Sequence, residues 1–270
     1  MKKALIYLTL TDLVFLLILS LSSFFEGITG RILYYSAFLI PLVLALVIKR
    51  FDKDGKLTPP RLTIDKEGTV LTLPAVMPTI ALVLLLSFLT SLLLGAFGLE
   101  NSTPDVSGNI FIALLTHALL PAVLEEGLFR YLPLSLITPY SRRAAILYSA
   151  LFFSLIHCNL FQMPYAFAAG VVFATVDVMA NSVLPSFIIH LVNNAASVIW
   201  LRNSSSGQFA LIYVSVVVVL ALLSLIPVLV YRKKYAERIS YSFSHECKEK
   251  LPFAPLALVV VCVLIAFMSL

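Results

Sequence analysis

The stretch Leu124-Glu125-Glu126-Gly127-Leu128-Phe129-Arg130 places two adjacent carboxylates and a guanidinium inside an apolar run from about Asn109 to Ile137. At the centre of a bilayer an ionised side chain costs roughly 2.5–3.5 kcal/mol on insertion scales, so three within six residues need a reason. Glu126 and Arg130 lie four apart, on one face of a helix, where they can pair. Glu125 is rotated off that face and is left without a local partner, available for chemistry. Two further polar pairs follow in apolar surroundings, Phe153 with His157 and His190 with Asn194, each at the four-residue spacing that shares a helix face. A carboxylate, two imidazoles and an amide are the parts needed to activate a water. The carboxylate takes its proton, and the amide donates to a developing oxyanion. The imidazoles either orient the water or bind a divalent metal such as zinc that polarises it, and the residues alone leave both options open.

These groups must be positioned by membrane helices. The chain of 270 residues is 60% hydrophobic and 12% charged, with a mean hydropathy of +1.01. Soluble domains carry about 25% charged residues, so the composition implies an all-α polytopic membrane bundle. Runs near the ~20 residues needed to cross the hydrocarbon occur at 4–25, 32–48, 70–98, 109–137, 144–160, 165–181, 184–201, 209–231 and 253–270. They are continuously apolar and lack the alternation of a barrel strand. This gives eight to nine spans.

Orientation follows from Lys and Arg. With the N-terminus cytoplasmic, sixteen of nineteen cations fall inside: Lys2 and Lys3; Lys49, Arg50, Lys53, Lys56, Arg61 and Lys66; Arg142 and Arg143; and Arg232, Lys233, Lys234, Arg238, Lys248 and Lys250. Only Arg31 and Arg202 fall outside, and Arg130 is intramembrane. The net charge of +5 thus reads as topology and contact with anionic lipid, not as nucleic-acid binding. At 1.5 Å per residue, Glu125 and His157 come to about 20 Å from the cytoplasmic end, Asn194 to about 15 Å and His190 to about 9 Å, near enough to meet in one cavity.

Three regions are expected: a two-helix hairpin and cytoplasmic linker over 1–68, a membrane core over 69–231, and a basic segment with a final helix over 232–270. Pro74 and Pro78 should kink the third span. His117, eight residues before Glu125 and about 80° from it on the helical wheel, could join a cavity wall but reads first as a packing residue. Asp12 and Asp177 fall close enough to predicted cytoplasmic ends for interfacial solvation. Cys158, beside His157, points about 100° away from it on a helix and is not read as a nucleophile. Trp200 reads as an interfacial anchor. Cys158, Cys247 and Cys262 form no disulfide framework.

The ordered set Glu125-Glu126-x-x-x-Arg130, Phe153-x-x-x-His157 and His190-x-x-x-Asn194 resembles the three motifs of the CAAX protease and bacteriocin-processing family. This family is also called the abortive-infection family and includes the type II CAAX prenyl proteases. The resemblance implies an intramembrane endopeptidase, and the chain is expected in the plasma membrane with its N-terminus cytoplasmic. Its catalytic set would be Glu125 as water-activating base, Glu126 and Arg130 beside it, the histidines His157 and His190, and the amide of Asn194. It implies a membrane-associated or lipidated peptide or protein as substrate, and either a metal-free glutamate mechanism or a divalent metal. Two other functions use the same inventory. A transporter or proton-coupled channel also carries intramembrane Glu, His and Arg, but the chain lacks the paired inverted repeats of many transporters. A non-catalytic relative would bind a client without cutting it.

Overall fold

The computed structural model describes residues 2–50, 60–101 and 103–243. The expected last span 253–270, Cys247, Cys262 and part of the linker lie outside the described residues. Within them the chain is helical, in nine helices: α1 (Lys2–Ser22), α2 (Gly27–Arg50), α3 (Lys66–Gly95), α4 (Ile110–Ile137), α5 (Arg142–Leu155), α6 (Met163–Ala180), α7 (Leu184–Asn203), α8 (Gly207–Val230) and α9 (Arg232–Phe243). No strand occurs among the described residues, where the single bridge pairs Arg61 with Ser182. Helices α1 to α8 coincide with the first eight expected spans. Six of them, α1, α3, α4, α6, α7 and α8, are long and apolar enough to cross a membrane.

Helix α5 is the informative exception. Its 14 residues reach only about 21 Å, short of the ~30 Å hydrocarbon core. The expected span 144–160 therefore ends early, and the chain turns back after Leu155, before the helix is long enough to cross. Non-helical backbone is tolerated within the hydrocarbon only where protein or a water-lined cavity covers it. The turn is tied down from within: Ser154 Oγ donates to the Met163 carbonyl at 2.7 Å, and Asn159 Oδ1 accepts the Phe161 N–H at 2.8 Å. Cys158 has φ +44° and donates Sγ–H to Leu155 at 3.5 Å.

Small residues let α5 and α6 approach closely. A Cβ added to Gly170 would stand 2.9 Å from Ala150 Cα, and Ala166, Gly170 and Ala174 form one small-residue stripe at four-residue spacing, the kind that joins membrane helices. The N-terminal hairpin α1–α2 packs on α4 through Phe15, Phe38 and Phe129, whose rings meet edge to face at 4.9, 5.4 and 6.4 Å. Asp12, expected at a solvated interface, is instead buried and accepts the Tyr148 O–H at 2.8 Å, joining α1 to α5. Asp177 departs from expectation in the same way: it is fully buried on α6 and accepts the Ser186 N–H from the start of α7 at 2.9 Å. In both cases a neighbouring helix supplies the hydrogen bond that interfacial water was expected to give.

Prolines shape the two long spans. Helix α3 tightens over Leu73–Ala75, at Pro74, whereas Pro78 falls in the first turn of the regular stretch Val76–Gly95, where a proline is tolerated. Helix α4 contains two widened, π-type turns, Leu115–Leu119 and Gly127–Tyr131, each followed closely by a proline, Pro121 and Pro133. Such turns cluster at functional sites, and here they flank Glu125 and Glu126.

The segments assigned to the cytoplasm gather at one end of the bundle. Arg61 N–H donates to Asn181, and the Arg61 carbonyl accepts from Val183. Lys234 and Arg238 of α9 contact Glu67 at 3.2 and 2.8 Å, and the Arg142 guanidinium lies 3.6 Å over the Tyr241 ring. At the other end Arg202 holds the α3–α4 loop, donating to Val106 at 2.6 Å and Gly108 at 3.0 Å.

Candidate active site

Each of the expected site residues comes from a different local device. Glu125 and Glu126 end the regular turn between the widened turns of α4. Pro133 has no N–H to bond the carbonyl four residues earlier, so the Phe129 carbonyl is left to other donors. Arg130 Nη1 donates to it at 3.1 Å and to Ser149 Oγ at 3.2 Å, while Ser149 Oγ–H also donates to Phe129. Arg130 is fully buried. Its Nε lies 3.6 Å from Glu126 Oε2, and its guanidinium stands 4.2 Å from the centre of the Phe153 ring and 5.4 Å from that of Phe173. The expected Glu126–Arg130 pair therefore exists, set in an aromatic and hydroxyl cradle.

Glu126 has a second partner that spacing alone does not reveal. Its Oε1 accepts His190 Nδ1–H from α7 at 2.8 Å. The other ring nitrogen, Nε2, lies 3.8 Å from Glu125 Oε2. His190 thus stands between the two carboxylates, stacked on Phe173 at 5.3 Å and edge-on to Phe153 at 5.4 Å. His157 sits just past the end of α5. Its Nδ1–H donates to the Phe153 carbonyl at 2.7 Å, capping one of the carbonyls a helix C-terminus leaves free. Because a carbonyl only accepts, the proton is on Nδ1 and Nε2 is left as an acceptor.

Glu125, His157, His190, Asn193 and Asn194 wall a space of about 70 Å³, ample for water, which needs about 10–15 Å³. It adjoins a larger cavity of about 800 Å³, also lined by Glu125, His157 and Asn194. An apolar recess of about 260 Å³ reaches the same Glu125 and His157 from Phe15, Leu19, Phe38 and Ile156. The four groups expected to meet therefore share one small space. Glu126 and Arg130 sit behind it. His117, read as a packing residue, instead lines the large cavity, as does Trp200. Asn193, whose Nδ2 lies 3.4 Å from Asn194 Oδ1, joins the wall without having been singled out in the sequence.

A metal was an open option, and the donor set tests it. Among the described residues no group of three His, Cys, Asp or Glu side chains is placed to hold a metal ion. The arrangement brings one carboxylate, two imidazoles and two side-chain amides around a space large enough for water. Residues 107–196, about a third of the chain, match the family model described as type II CAAX prenyl endopeptidase Rce1-like. No curated protein and no solved structure matches the chain.

Proposed function

We propose that this chain, whose residues 107–196 match the type II CAAX prenyl endopeptidase family model, is an intramembrane endopeptidase whose attacking water is activated by Glu125. The observation that carries this reading is the single 70 Å³ space shared by Glu125, His157, His190 and Asn194. Water in that space gives one O–H to Glu125 and the other to an imidazole Nε2, which leaves an oxygen lone pair facing a substrate carbonyl. As the oxygen bonds to the carbonyl carbon, Glu125 takes the proton, and the oxyanion accepts a hydrogen bond from the Asn194 amide. Collapse of the tetrahedral intermediate breaks the C–N bond, and Glu125 returns its proton to the departing amine. One peptide and one water become a carboxylic acid and an amine.

Glu126 and Arg130 act indirectly. Glu126 fixes the His190 ring with Nδ1 protonated, so Nε2 faces Glu125, and Arg130 offsets the Glu126 charge. The substrate is a membrane-associated peptide or protein, because the base lies inside a bundle whose outer helices present apolar faces such as Leu211, Leu222 and Val230 of α8.

The test is cleavage of a broad panel of lipidated and unlipidated membrane-delivered peptides by purified, well-folded protein. Glu125→Gln and His190→Ala should each nearly abolish hydrolysis, while Asn194→Ala should leave a measurable fraction. Solute or proton flux in proteoliposomes, blocked by Glu125→Gln and unaccompanied by any cut peptide, would overturn the reading in favour of a transporter.

A further inference from the structure

The two ends of the bundle are not equivalent as seen from Glu125. Toward the end that carries Arg61, Arg142, Lys234 and Arg238 the site is sealed. Phe129, Arg130, Ile137, Ile146, Phe173 and Ile189 lie on that side, and each is at most 1% exposed. A cavity of about 500 Å³ does open at the basic end, between Arg61, Glu67, Arg142 and Arg238. Leu134 and Asp177 are among its walls, and it shares no lining residue with the spaces around Glu125. Toward the opposite end the 800 Å³ cavity runs from Glu125 and His157 past Ser91 and Ser197 to Thr103, Pro104 and Leu201. Its rim is the α3–α4 loop, held by the Arg202 bonds to Val106 and Gly108. That loop lacks Lys and Arg altogether, whereas the basic residues collect at the sealed end.

Lys and Arg are retained on the cytoplasmic side of short loops. From this asymmetry, and resting on the peptidase reading above, we propose that the site is loaded from the non-cytoplasmic side. Its substrate is then a polypeptide segment already carried across the membrane, the translocated part of an exported or membrane-anchored protein. The cavity is of the size that holds an extended ligand, since small-molecule pockets span about 300–1,000 Å³. Its walls, with Tyr34, Tyr35, Tyr165 and Trp200 among Ser, Thr and Asn side chains, suit a peptide of mixed polarity.

The test needs no substrate. In the full chain with Cys158→Ala, Cys247→Ser and Cys262→Ser, single cysteines are introduced as Thr103→Cys at the rim, Ser91→Cys inside the cavity and Arg61→Cys at the basic end. A membrane-impermeant maleimide is applied to intact cells and, separately, to inverted vesicles. Thr103→Cys and Ser91→Cys should label in intact cells, and Arg61→Cys only in inverted vesicles. Labelling of Ser91→Cys together with Arg61→Cys from the basic side overturns the proposal, as does a Ser91→Cys that stays silent from both sides while Thr103→Cys labels. Adding Glu125→Gln should leave the pattern unchanged. Failure of the peptidase reading would therefore appear as absent cleavage with the labelling intact.

Discussion

His190 donates Nδ1–H to Glu126 Oε1 over 2.8 Å, a single bond that joins α7 to α4 across the buried heart of the protein. It orients the ring so that Nε2 lies 3.8 Å from Glu125 Oε2. The two adjacent glutamates thereby differ in surroundings: Glu126 holds a histidine, and Glu125 lines the space large enough for water.

That division predicts a rank order. Glu125→Gln should fold normally and lose about 10²–10⁴-fold in cleavage rate, as expected for loss of a general base. Glu126→Gln keeps an oxygen for His190 but loses the charge, and should cost about 10–100-fold, the usual scale for removing a partner that orients a reactive histidine. Rates on a common membrane-delivered peptide, with thermal unfolding in detergent as the control for folding, decide the matter. A larger loss in Glu126→Gln than in Glu125→Gln would reverse the assignment.

A second prediction concerns stability. Arg130 is buried beside Glu126 and between Phe153 and Phe173. Arg130→Met should leave Glu126 as an uncompensated buried charge and destabilise the protein by about 3–5 kcal/mol. Adding Glu126→Gln to Arg130→Met should recover a large part of that loss, since the pair is then removed together. Unfolding midpoints of the two singles and the double form a cycle that isolates the coupling. Additive losses would mean that the pair contributes nothing to the fold.

Much of this arrangement was legible in the sequence because membrane chains write their secondary structure in long apolar runs and keep charges out of them. The eight runs that became α1 to α8, the Glu126–Arg130 pair and the meeting of Glu125, His157, His190 and Asn194 all follow from length, four-residue spacing and depth. What was not legible depends on contacts between helices. Nothing in the spacing of Glu126 pointed to His190, 64 residues away, and nothing at Ser149 marked it as a brace for Arg130. Pro133 was a usable signal for the latter, because a proline in α4 must leave a carbonyl for some donor on a facing helix. Asp12 and Asp177 misled for a related reason: depth along one helix says where water would be, not whether Tyr148 or the Ser186 N–H is waiting there. The early end of α5 was hidden by the apolar residues of its turn, which hydropathy counts as helix.

The closeness of α5 and α6 gives a third prediction. Gly170 meets the backbone of Ala150, with only 2.9 Å between an added Cβ and Ala150 Cα. Gly170→Val should force the helices apart and cost about 1–3 kcal/mol, the usual range for overpacking. It should also shift the turn that carries His157, since that turn connects the same two helices. A lowered unfolding midpoint with reduced cleavage is the expected result, and an unchanged midpoint would show that the helices can slide apart without loss.

The last prediction concerns how the water is activated. Both histidines already commit Nδ1, His157 to the Phe153 carbonyl and His190 to Glu126, and no three acidic, histidine or cysteine side chains among the described residues are placed as a ligand set. With Glu125 acting alone as base, prolonged treatment of the purified protein with a strong chelator should leave the cleavage rate unchanged. Elemental analysis should find no divalent metal in fixed ratio to protein. Inactivation by chelator that zinc or another divalent ion restores, with one metal per chain recovered, would move the activation step from the carboxylate to a metal held by the imidazoles.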